Sequence, residues 1–210
     1  IARASEFPVA VHLDHAESVP LIHEAVDLGF TSVMFDGSTL DYDANVALTA
    51  ELAAYCHERG VGIEAELGEV GGKDGVHAPG VRTDPTEAAE FVAATGVDAL
   101  AVAVGSSHAM TSRDAKLDLE LIAAIRQAVP VPLVLHGSSG VADENLTKAV
   151  EAGMTKVNIS THLNHAFTDT VREVLAANPE MVDTRKYLGA GREAVRAEVA
   201  RLLGVLLAAN

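Results

Sequence analysis

The sequence predicts an α/β fold, a closed (β/α)8 barrel of parallel strands ringed by helices. Three observations carry that prediction. Short β-branched runs alternate six times with longer, alanine-rich segments of helical period. The runs are almost continuously apolar, as strands covered on both faces must be. No G-x-G-x-x-G opens a helix after a strand, which weighs against an open, doubly wound dinucleotide-binding sheet. Six units are two short of a barrel. The expectation is therefore that two βα units precede Ile1 and that the visible runs are the third to eighth strands.

The first run, "FPVAVHL" (7–13), and the second, "TSVMF" (31–35), flank the helical segment "SVPLIHEAVDLG" (18–29). "YDANVALTAELAAYCHERG" (42–60) leads into the run "GIEAEL" (62–67), and "DPTEAAEFVAATG" (84–96) into "ALAVAV" (99–104). The segment "LDLELIAAIRQAV" (117–129) precedes "VPLVL" (131–135), and "NLTKAVEAG" (145–153) precedes "KVNI" (156–159). Several of these helical segments stop on glycine, the residue that closes a helix in a left-handed conformation. The tail adds "HLNHAFTDTVREVLAANPE" and "GAGREAVRAEVARLLGVLL". The whole reads as one barrel domain, 1–210 and N-terminally incomplete, with a C-terminal helical extension from about 180 to 210.

Composition narrows the function. With 49% hydrophobic residues and no tryptophan, the core is built from Ala, Val, Leu and Ile. A formal net charge of −15, with no basic cluster, excludes nucleic acid and anionic membrane surfaces as expected partners. A lone cysteine, Cys56, rules out an intrachain disulfide and reads as a small buried residue. There is no signal-peptide pattern and no apolar stretch near 18 residues, so the expected location is the cytoplasm.

Barrel chemistry sits at the C-terminal ends of strands. Histidines follow three of the runs: His15 in "HLDH", His108 in "AVGSSH" and His136 in "LVLH". Three imidazoles at one rim suit a catalytic zinc with a fourth position open to substrate; the alternative is three separately satisfied polar residues. Asp14, Asp36, Glu64 and Glu66 join the same rim. Asp14 reads as a general acid/base or as an orienting group, and Asp36 as an orienting group or a helix cap. The other histidines, His12, His23, His57, His77, His162 and His165, read as packing or solvated groups, although His162 also follows a strand closely. The glycine-rich loop "GEVGGKDGVHAPG" (68–80) either closes over substrate, bringing Lys73 or Asp74 inward, or is an ordinary surface loop. "HGSSG" and "NIST" follow the two strands after which barrels frequently bind phosphate on backbone amides; a plain Ser/Gly turn is the other reading.

In order along residues 8 to 200, "HLDH", "EAELGEVGG", "AVGSSH", "LVLHGSSG" and "KVNIST" resemble the class II, zinc-dependent ketose-bisphosphate aldolases, which are TIM barrels. The resemblance implies reversible aldol cleavage of fructose or tagatose 1,6-bisphosphate to dihydroxyacetone phosphate and glyceraldehyde 3-phosphate. It implies zinc on His15, His108 and His136 with Glu66 as a further metal group, a monovalent cation, and Asp14 as the acid/base assisted by Asp74. It assigns substrate contacts to Ala109, where the family usually has glycine, to Gly137, Ser138 and Ser139, and to Asn158, Ile159, Ser160 and Thr161. Arg185 in "DTRKYL", where Thr184 replaces the family's usual proline, is expected to reach a neighbouring subunit's phosphate in a homodimer or homotetramer. Two rival readings are a Schiff-base aldolase using Lys156 and a non-catalytic barrel subunit that partners an aldolase.

Overall fold

The computed structural model describes residues 1–67, 82–107, 110 and 112–208. Six parallel strands lie side by side in chain order: β1 (His12–Ala16), β2 (Ser32–Phe35), β3 (Gly62–Glu66), β4 (Ala99–Ala101), β5 (Leu133–Leu135) and β6 (Met154–Val157). Between them run α1 (Val19–Asp27), α2 (Tyr42–His57), α3 (Pro85–Thr95), α4 (Leu119–Ala128) and α5 (Asp143–Ala152); α6 (Thr161–Ala177) and α7 (Thr184–Leu207) follow β6. The predicted alternation is therefore present, with six parallel strands among the described residues. The sheet curls into a half-barrel, so that side chains of the first and last strands meet across its concave face. Lys156 Nζ lies 3.2 Å from His12 Nε2, and Asn158 Nδ2 donates to Asp14 Oδ1 at 3.1 Å.

The period of two along each strand divides the core. On the convex side Ile63, Leu100, Leu133 and Leu135 are fully buried against Ile22, Leu52, Phe91, Ile122 and Leu146 of the helices. Met34, Ala101 and Val134 form a separate small apolar cluster. The alternate residues of β3, Glu64 and Glu66, are buried with side chains that meet His136. A polar interior thus occupies what the apolar patterning alone would leave dry.

Local chemistry explains the helix boundaries. Asp41, Asp84, Asp118 and Asp183 each accept a backbone N–H from the first turn of α2, α3, α4 and α7. Pro85 occupies the first position of α3, where no N–H is needed, and Gly96 closes that helix at φ 69°.

Strand boundaries differ from the sequence reading at several ends: β4 stops at Ala101 where the run is expected to reach 104, β5 begins at Leu133 rather than 131, and two further ends have a clear cause. The run expected over 7–13 pairs only from Val11, whose carbonyl accepts from Thr31 and Ser32, and the strand continues through Asp14 and His15. Phe7 and Val9 are exposed instead. β6 begins at Met154 rather than Lys156 because its ladder with β5 starts at the Leu133 pair. Cys56 is fully buried, and burial pushes its thiol pKa up, as expected of an inert core residue. Among the described residues no helix is long and apolar enough to cross a membrane.

Candidate active site

The C-terminal end of β1 departs from regular pairing. The register with β2 shifts between Leu13 and Ala16, and His15 takes the left-handed φ of 48°. A bulge of this kind re-aims a side chain, and a non-glycine residue in that region costs about 1–3 kcal/mol unless its surroundings fix it. Here Asp36, at the end of β2, does the fixing. Its carboxylate receives His15 Nδ1 at 2.7 Å and, on the other oxygen, Ser38 Oγ at 2.6 Å and Ser38 N–H at 3.2 Å. Bonded to a carboxylate through Nδ1, the ring directs Nε2 away from Asp36. Asp36 thus orients the His15 ring, while the cap of α2 is Asp41.

β5 delivers His136 in a comparable way. The residue is 0% exposed, its Nε2 lies 3.0 Å from Glu64 Oε1, and its Nδ1 lies 3.3 Å from Glu66 Oε2. Its ring meets that of His15 edge-on, with centroids 4.5 Å apart. Burial opposes a charge on His136, but the bonds to Glu64 and Glu66 outweigh it and push the imidazole pKa up to about 9. Glu64 is itself clamped by Lys156 Nζ at 2.6 Å; burial alone would raise its pKa, but His136 and Lys156 together bring it below the usual carboxylate value.

This donor set fits a divalent cation. Ligand atoms of Asp14, His15 and His136 lie within 4.8 Å of one another, as do those of His15, Asp36 and Glu66 and those of His12, Asp14 and Glu64. Four carboxylates, Asp14, Asp36, Glu64 and Glu66, surround the two imidazoles, and Lys156 is their described ammonium partner. An acidic, largely buried pocket of nitrogen and oxygen donors suits a borderline cation such as zinc. Three predicted site residues, Asp74, His108 and Ala109, lie outside the described residues, as does Lys73.

Beside the donor set opens a cleft of about 260 Å³ lined by Asp14, His15, Gly137, Ser139, Asn158, Ser160 and Thr161. Gly137, at φ 65°, turns the chain directly after His136 into a short 3-10 turn, Ser138–Gly140. A side chain would strain that left-handed turn. Facing it is the N-terminus of α6, where Ser160 makes no side-chain cap hydrogen bond and the positive end of the helix favours an anion. The two loops are joined directly: His162 N–H donates to Ser139 Oγ at 3.2 Å, and Ser138 Oγ bonds the Asn158 carbonyl.

The fold therefore brings together Asp14, His15, His136, Glu66, Gly137, Ser139, Asn158, Ser160 and Thr161. Ser138 is buried with its hydroxyl committed to Asn158, and neither it nor Ile159 is among the residues lining the cleft. Arg185 stands apart, exposed in the first turn of α7 and bonded to Asp183. For four residues the structure gives a role that sequence reasoning does not: the sequence places Glu64 on the rim without a partner, offers Lys156 only as a Schiff-base lysine, and reads His12 and His162 as packing or solvated groups. Glu64 and Lys156 hold His136 from below, His12 touches Lys156, and His162 links the two loops. The two-residue spacing that puts Glu64 on the same face of a strand as Glu66, a residue already assigned to the metal, is the signal that could have tied Glu64 to His136.

The family described as class II fructose-bisphosphate aldolase matches residues 1–210. A fructose-bisphosphate aldolase of Geobacillus stearothermophilus is 45% identical over 194 residues, covering 91% of this chain and 68% of that protein. The crystal structure of the YdjI aldolase of Escherichia coli K12 superposes with a TM-score of 0.84 at 36% identity, over 98% of this chain and 72% of that one. A Campylobacter jejuni fructose-bisphosphate aldolase structure gives 0.82 at 25% identity, over 98% and 72% of the two chains. With the family model spanning residues 1–210 and a relative 45% identical over 91% of the chain, this chain belongs to the class II fructose-bisphosphate aldolase family and is a lyase.

Proposed function

We propose that the protein catalyses zinc-dependent, reversible cleavage of a ketose 1,6-bisphosphate, fructose or tagatose, to dihydroxyacetone phosphate and glyceraldehyde 3-phosphate. The observation that carries this reading is the single cleft in which Asp14, His15 and an uncharged phosphate cradle share one wall, with His136 against the His15 ring. His15 and His136 would hold the metal with His108 as third ligand, and Glu66 stands close enough to share it. Bound there, zinc supplies electrophilic stabilisation of the charge that develops on the ketone oxygen.

The chain's own residues supply the rest. Asp14 takes the C4 hydroxyl proton in cleavage and returns it in condensation, its carboxylate held in place by the Asn158 amide. Amides of the Gly137 turn and of the α6 N-terminus, with the hydroxyls of Ser139, Ser160 and Thr161, bind the phosphate of the three-carbon fragment. Asp74 handles the C3 proton, Ala109 contributes its backbone, a monovalent cation supports the cradle, and Arg185 serves the second phosphate of a neighbouring subunit in a homodimer or homotetramer. The Schiff-base alternative finds no support, since the Lys156 ammonium is engaged by Glu64 at 2.6 Å rather than facing the cleft. A non-catalytic role finds none either, because Asp14, His15 and His136 stand assembled in a chain of this enzyme family.

Cleavage of both bisphosphates before and after chelation tests the proposal. Chelator should abolish turnover and zinc restore it, and borohydride with substrate should leave the protein unmodified. Chelator-resistant cleavage with borohydride trapping on Lys156 would falsify the metal reading.

A further inference from the structure

α7 lies outside the cleft, yet two of its side chains grip both loops of the phosphate cradle. Glu198 Oε1 lies 2.6 Å from His162 Nε2, and His162 stands in the first turn of α6, just past Ser160 and Thr161. Three residues further along α7, Arg201 bonds Asp143, which opens α5 shortly after the Ser138–Gly140 turn. Glu198 and Arg201 also bond each other, Nε to Oε2 at 2.9 Å and Nη2 to Oε1 at 2.7 Å. The circuit closes at the cradle itself, where His162 N–H donates to Ser139 Oγ. Arg113 extends it, donating to Asp143 at 2.6 Å and to the Val141 carbonyl at 2.6 and 3.0 Å.

Both ends of this clip rest on fixed supports. Gly191 of α7 is buried so close to α6 that a Cβ there would meet the Phe167 ring at 2.8 Å. Thr147 of α5 donates to the Val205 carbonyl of α7 at 3.2 Å. The Arg201 guanidinium, ahead of the His162 contact, holds the Glu198 carboxyl down at about 2, and the same guanidinium leads in lowering Asp143, so both carboxylates stay charged.

We propose that Glu198 and Arg201 are positioning residues for phosphate binding. One holds the start of α6, the other the start of α5, and together they set the spacing of Ser139, Ser160 and Thr161. This rests on the phosphate reading of the cleft given above. The cradle is sensitive to such spacing because its described lining holds neither lysine nor arginine. Its grip depends on where amides and hydroxyls stand rather than on Coulomb attraction, and hydrogen bonds weaken steeply with misplacement.

The test compares Arg201→Met, Arg201→Lys and Arg196→Met. The readouts are the KM for fructose 1,6-bisphosphate, kcat, and the Kd of inorganic phosphate from 31P NMR titration. Arg201→Met should raise KM and phosphate Kd together, by roughly three- to tenfold, the loss expected of a networked ion pair, with kcat held within about twofold. Arg201→Lys should recover part of the loss. Arg196→Met removes the same charge from an exposed site on the same helix, where its partner is Glu193, and should leave both constants unchanged. Should Arg201→Met not fold, Asp143→Asn cuts the same leg of the clip. Unchanged KM and Kd in Arg201→Met and Asp143→Asn overturn the inference, as does a loss confined to kcat or an equal effect of Arg196→Met. A phosphate Kd beyond measurement in the unmodified protein overturns the cradle reading itself, and the clip with it.

Discussion

The two described imidazoles at the centre of the site are held by carboxylates: Asp36 on Nδ1 of His15, and Glu64 on Nε2 of His136 with Glu66 close to its Nδ1. A ligand histidine bonded this way has its tautomer and ring angle set before the metal arrives, and outer partners of this kind typically contribute 10- to 100-fold to affinity. Glu64→Gln keeps the shape but removes the charge that Lys156 compensates. Zinc affinity, measured by competition with a chromophoric chelator, should fall by roughly 10- to 100-fold, with the fold intact by circular dichroism. Equal affinities would show that His136 needs no such partner. Asp14, His15 and His136 are legible in the sequence because each ends an apolar run, and a residue there faces the rim in a barrel. The rim position of Glu64 is legible too, but its partner is not, since its bond to His136 joins positions 72 residues apart and exists only once the sheet curls.

Among the elements, the helices are the most legible, because caps and glycine stops are local chemistry. Asp84 accepts from Thr86 and Glu87 N–H at 2.8 and 3.1 Å, so Asp84→Ala should lower stability by about 1 kcal/mol in urea denaturation. The strands are less so. An apolar run such as 7–13 has the composition of a strand throughout, but a strand exists only where a neighbour supplies a ladder, and Thr31 and Ser32 supply one only from Val11 onward. Charge pairing between elements is invisible for the same reason, and it gives α7 a pH dependence. Glu198 has its carboxyl held at about 2, principally by Arg201, against an ordinary value of 4.5. Because the folded value is depressed, the stability it contributes is complete above pH 4.5 and is lost as pH falls towards 2. In acid titrations of stability over that window, Glu198→Gln should flatten the curve by about 1 kcal/mol once screening of the partly exposed pair is allowed for. Curves that remain parallel would remove Glu198 from the acid response.

For the whole molecule, the fold's main tension is its concave face. The convex side is sealed by apolar side chains of β3 to β5 against the helices, while the inner side gathers acidic groups from β1, β2 and β3 around His15 and His136. Like charges crowded at low dielectric repel, and Lys156 offsets only part of this. A divalent cation held there would relieve the repulsion and tie β1 to β5 through His15 and His136, binding the folded chain and not the unfolded one. At free zinc about 1,000 times its Kd, such binding stabilises by about 4 kcal/mol. For a domain of this size one kcal/mol corresponds to roughly 2–4 °C, so chelation should lower Tm by about 10 °C and added zinc should restore it. Calcium or magnesium, which prefer an all-oxygen shell, should restore much less than zinc at equal concentration. Thermal melts of the metal-loaded, chelated and reloaded protein decide the matter without any turnover measurement. A Tm indifferent to zinc would mean that the acidic interior is held by protons and Lys156 alone.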